Sequence, residues 1–134
     1  MVIDKIAPLE TGTVSVAISG AVLSITKALS PANVTENSEL TYTFTVQNTG
    51  NSPADATDNL VITDTFNPIL SDITVSVDGA ILPLTSYTYD ETTGVFTTNA
   101  GTITVPAATY TQNPITGEYV ITPGVTTVTV TGTV

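Results

Sequence analysis

Leu40-Thr41-Tyr42-Thr43-Phe44-Thr45-Val46 is the stretch that decides the fold. Large apolar residues occupy every second position and threonine fills the places between. Successive side chains of an extended chain point to opposite faces, so this is a strand with one apolar and one polar face. It runs into Asn48-Thr49-Gly50-Asn51-Ser52-Pro53, a dense turn signal. The pattern recurs on both sides. A strand is expected at Val22 to Ala28, then at Leu60 to Thr65, Ile73 to Val77, Ser86 to Tyr89, Val95 to Thr98, Thr102 to Val105, Glu118 to Thr122 and Val125 to Val134. Asp78-Gly79 between two apolar runs reads as a hairpin turn. Thr92-Thr93-Gly94, Asn99-Ala100-Gly101, Thr116-Gly117 and Pro123-Gly124 mark further turns. No stretch carries capped helical periodicity over a full helix length. Short strands at this spacing predict an all-β, two-sheet sandwich.

Composition narrows the function. The chain has 134 residues, which fits one domain. Threonine occurs 29 times, and with Val and Ile it favours pleated surfaces over helices. Twelve acids against two lysines leave a net charge of −10, with no His, Cys, Arg or Trp. Without His or Cys there is no thiol nucleophile, no Cys/His zinc site and no Ser-His-Asp triad. Two lysines make no phosphate-contacting surface, so nucleic acid is not an expected partner. No apolar run approaches the ~18 residues of a helical membrane span, and no membrane insertion is expected. No cofactor and no enzymatic activity are expected.

Residues 1–21 stand apart from the domain, taken as 22–134. Thr13-Val14-Ser15-Val16-Ala17-Ile18-Ser19 alternates, with Val14, Val16 and Ile18 in one phase, and Gly20 breaks the run. One reading is an edge strand folded onto its own sheet. The sharper one is an arm that adds a strand to another subunit. Burial of Val14, Val16 and Ile18 would contribute roughly 4–9 kcal/mol before ordering costs.

From residue 25 a family resemblance emerges. Ile25-Thr26-Lys27, Pro31, Leu40 to Asn51 and Val61-Ile62-Thr63-Asp64-Thr65-Phe66 resemble the repeat domain of bacterial and archaeal surface proteins catalogued as domain of unknown function eleven. The closing Val128 to Val134 resembles its last strand. The resemblance implies an immunoglobulin-like sandwich in cell-wall, spore-surface or S-layer-associated proteins, usually in tandem arrays, and brings no catalytic residues. Glu36-Asn37 stands where the family usually has a glycine turn, Phe66-Asn67-Pro68 replaces a leucine-proline pair, and a single copy is present.

Three chemistries have candidate residues in the sequence. Asp55, Asp58 and Asp64 are weak metal-ligand candidates, since calcium takes six to eight oxygen ligands. Their spacing fits no helix-loop motif, and solvated loop acids are the preferred reading. Glu36 with Glu39, or Asp90 with Glu91, would be the carboxylate pairs of a glycosidase, but no cleft is evident from the sequence. Lys27 and Lys5 are candidate isopeptide lysines. The last strand offers Lys27 no Asn or Asp, so the preferred reading is a lysine at the sheet rim, its stem packed and its amine solvated. Lys5 on the arm is a weaker candidate for linking subunits. Leu82-Pro83-Leu84-Thr85-Ser86 lacks the glycine of a sortase signal, and Asn33-Val34-Thr35 is a glycosylation sequon of consequence only in a host that uses it.

The expectation is a structural subunit of a self-assembling extracellular, cell- or spore-surface filament, a homo-oligomer or homopolymer joined by strand addition from the arm. The alternative is one repeat of a larger surface adhesin or stalk. Met1 is not followed by a basic region and an apolar stretch, so either a signal has been removed or the surface is reached without one. The domain strands suffice for a core. Deleting residues 1–20 is therefore expected to leave a folded, soluble monomer by circular dichroism and size-exclusion chromatography. An unfolded product would assign the arm to its own fold.

Overall fold

The computed structural model describes residues 13–15, 20–31 and 33–134. Their strands are β1 (Thr13–Ser15), β2 (Leu23–Ser30), β3 (Glu39–Asn48), β4 (Val61–Thr65), β5 (Ser71–Val77), β6 (Ala80–Ile81), β7 (Tyr87–Tyr89), β8 (Val95–Thr98), β9 (Thr109–Gln112), β10 (Tyr119–Thr122) and β11 (Gly124–Thr133). Two sheets enclose the core, in the orders β1-β4-β8-β7 and β2-β3-β11-β5-β6, and every pairing is antiparallel. β9 and β10 form a separate two-stranded ribbon. Single 3-10 turns cover Ala56–Asp58 and Leu84–Ser86. The all-β expectation holds.

Alternation builds the interior. On β3, Leu40, Tyr42, Phe44 and Val46 are fully buried, and on β11 so are Val128 and Val130. Phe66, just beyond β4, is the hub between the sheets. Its ring stacks on Tyr42 at 4.5 Å between centroids and on Phe96 at 5.5 Å, and meets Tyr89 at 5.4 Å. Such pairs add about 0.5–1.5 kcal/mol each beyond their burial. On the outer face of the five-stranded sheet the hydroxyls pair across strands: Thr41 with Thr131 at 2.9 Å, and Ser76 with Thr129 at 2.8 Å. The threonine-rich composition is thus a ladder of cross-strand contacts.

Asn48 ends β3 with its side chain buried. Its Oδ1 accepts from the backbone N–H groups of Val22 and Gly50, and its Nδ2 donates to the carbonyls of Ser52 and Pro106. What reads as a turn residue is a four-bond clamp on three chain segments. Close backbone approach at the same end requires glycine: a Cβ on Gly50 would collide with the Gly20 carbonyl oxygen, and one on Gly124 with that of Pro106.

Two sequence expectations need correction. Thr102 to Val105 is not a strand. Only Val105 pairs, in a two-way bridge with Ala54. Pro106 follows directly and Pro53 precedes the partner, and a proline has no N–H to extend a ladder. In addition, β9 went unread, because Thr-Tyr-Thr-Gln has no apolar phase. The Asp78-Gly79 turn is as expected, with Val77 opposite Ala80 and both turn residues at positive φ.

Replacing Asn48 with Ala would leave the Val22 and Gly50 N–H groups without their acceptor. A loss of about 2–4 kcal/mol is expected, read as a lower urea midpoint with unchanged m-value.

Candidate functional site

Two features stand out: the flank where β1 joins β4, and the charged pair beneath it.

β1 forms the outer edge of its sheet. Thr13 lies opposite Thr63, Val14 opposite Ile62 and Ser15 opposite Val61. The backbone of the arm thus runs along the domain's own sheet at these three residues, and Ile62 is fully buried. Val16, Ile18 and Lys5 lie outside the described residues, and of Val14 only the backbone placement is described. β4 is flanked on its other side by β8, through Thr63 to Thr65. β4 is therefore the strand that receives the arm.

Inside β4, Asp64 points into the core and is wholly inaccessible. Lys27 on β2, in the opposite sheet, reaches it with Nζ 2.6 Å from Oδ2, its side chain only 11% exposed. The ammonium also lies 4.7 Å from the Tyr42 ring centroid and 6.0 Å from those of Phe44 and Phe66, within range of cation–π attraction. The expectation of a solvated rim lysine is corrected: Lys27 follows the inward phase of Leu23 and Ile25, so alternation drives its amine into the interior. The signal was present in the sequence. Leu23, Ile25 and Lys27 share one phase, as do Leu60, Ile62, Asp64 and Phe66, and each phase carries a single charge, of opposite sign.

The three aspartates considered for metal are not brought together as one group. Asp55 caps the 3-10 turn, accepting from the N–H and hydroxyl of Thr57, while Asp58 accepts from the N–H of Asp55. These bonds, led by that of the Thr57 hydroxyl, lower the pKa of Asp55. Asp64 is the interior partner of Lys27. Among the described residues no group of three or more acids is arranged to hold a metal ion. Glu36 lies in an exposed turn, and Glu39 opens β3, also exposed. Asp90 and Glu91 border an open depression of about 780 Å³ with Asp72, Ile73, Leu84, Tyr87 and Tyr89. Their carboxylates are engaged locally, Asp90 by the Thr92 N–H and Glu91 by that of Asp72.

The β9–β10 ribbon is a further exposed surface. All eight strand residues are exposed. Ile115 at its tip is 91% exposed, and Tyr119, Val120 and Ile121 are each more than half exposed. Tyr110 ties the ribbon to the body by donating its hydroxyl to the Thr49 carbonyl at 2.6 Å. Tyr119 and Ile121 lie on one face of the ribbon and Val120 on the other, and exposed apolar side chains gathered in this way can serve as interaction sites.

Comparison of the chain with protein families, curated proteins and solved structures returned no match.

The interior has a consequence at high pH. Burial, then the charge of Asp64, pushes the Tyr42 hydroxyl up to about 12. The unfolded phenol ionises near its ordinary value of about 10. Tyr42 favours the folded state fully below that value, and the contribution is lost as pH rises through the interval toward 12. Denaturation midpoints are expected to fall across that window, and Tyr42→Phe, which also removes the bond from the hydroxyl to the Pro68 carbonyl, should flatten that part of the profile.

Proposed function

We propose that this protein is a structural subunit of a surface filament, polymerised by strand addition between copies. The observation that carries the reading is β1 on the edge of β4. A three-residue strand joined to the domain through the following segment can serve its own β4 or that of a neighbour, because the acceptor edge is the same in both cases. Exchange of an identical element between protomers costs little, since the contacts are those already made within one chain. A head-to-tail exchange generates an open filament unless the rotation closes. The exposed β9–β10 ribbon supports the reading by supplying a second apolar surface for lateral contact. So does the resemblance to immunoglobulin-like surface repeats, which also supports a location outside the cell.

The competing reading is a single repeat of a larger adhesin or stalk. The same pairing favours it if β1 stays on its own sheet and completes the domain.

Electron microscopy and size-exclusion chromatography of the purified chain separate the two: polymers support the first and a monodisperse monomer the second. Val16 shares the phase of Val14 in the sequence, so Val16→Asp would set a carboxylate on the apolar side of the arm, where an unpaired charge is strongly disfavoured. Assembly should be lost with the β-sheet circular dichroism retained. Ser15→Asp, in the opposite phase, should still polymerise. Unchanged polymers from Val16→Asp would remove the arm as the connector.

A further inference from the structure

We propose that Lys27 and Asp64 condense to an amide, fastening β2 to β4 covalently across the interior. The inference is independent of the filament reading. It rests on three observations. The amine nitrogen lies 2.6 Å from a carboxylate oxygen. Asp64 is wholly buried, and apart from the Lys27 ammonium neither of its oxygens has a hydrogen-bond partner among the described residues. The surroundings are the rings of Tyr42, Phe44 and Phe66. Attraction within a buried ion pair offsets the loss of hydration only when further hydrogen bonds satisfy the remaining lone pairs. An amide at the same place carries no charge and needs no such compensation.

The chemistry balances without a third reactant. One proton passes from the ammonium to the carboxylate, leaving a neutral amine beside a neutral acid. The nitrogen lone pair attacks Cγ and the N–C bond forms. The C–OH bond then breaks, and the hydroxyl departs with a proton from nitrogen as one water. Fixed geometry supplies the high effective concentration that such a condensation needs. The exposed fraction of the Lys27 side chain offers the water a way out.

Intact-mass spectrometry of the denatured full-length protein tests the proposal. The expected mass is one water below that of the sequence. The two lysines are at positions 5 and 27, so trypsin should cut the unfolded chain after Lys5 but not after Lys27, whose amine is acylated. A chymotryptic digest should yield a branched peptide holding Lys27 and Asp64. These readouts use the wild-type chain and do not depend on a variant folding. Asp64→Ala should restore both the full mass and cleavage after Lys27. A wild-type chain at full mass that is cut after Lys27 overturns the proposal. So does a water loss that persists in Asp64→Ala, which would place it elsewhere, such as a succinimide at Asp78-Gly79.

Discussion

A lysine and an aspartate meet inside a largely apolar interior, and the arrangement of the two sheets depends on that meeting. Lys27 belongs to the edge strand of one sheet and Asp64 to β4 of the other. Neither can be left alone at that depth, because removing one partner of a buried pair typically costs about 3–5 kcal/mol. The pair therefore fixes how β2 lies over β4, and Phe66 fills the space beside it, stacked on Tyr42. A purely apolar contact would tolerate sliding of one sheet over the other; a charge-to-charge contact at 2.6 Å does not.

This pin sits under the strand that receives the arm. β4 presents Asp64 to the interior and its free backbone edge to β1. An acceptor edge works only if its own position is held, since strand addition depends on a regular row of N–H and C=O groups. The interior pair holds β4 from within, and β8 holds it from the side. The strand that pairs with β1 is thus also the strand that carries the buried aspartate.

Charge is distributed unevenly along the chain. From residue 92 to the C-terminus the chain carries one ionisable acid side chain, Glu118, and no lysine. This part includes the exposed ribbon and β11, with its outward threonines. Copies that each carry −10 repel one another, so the region nearly free of charge is the one that meets least repulsion on approach. The acids are concentrated before it, and several of them accept backbone hydrogen bonds in turns, as Asp55 and Asp90 do.

The amino-acid sequence determined the fold class, because period-two alternation is local: Leu40 to Val46 and Val125 to Val134 each state which side is buried without reference to any other residue. It also determined the tight turn at Asp78-Gly79, which is set by backbone preference alone. It exposed the phase of Lys27 and of Asp64, but not their pairing, since phase says that a side chain points inward and not what it meets there. Only the tertiary structure decided that meeting, because the two residues lie on strands of different sheets. It likewise decided that Asn48 clamps three segments and that Thr102 to Val105 forms a bridge instead of a strand, where prolines on both chains halt the ladder. Last, it set the described part of the arm against Val61 to Thr63. Strand pairing is a property of two segments distant in sequence, and the alternation of Thr13 to Ser19 is compatible with any apolar edge of the same register.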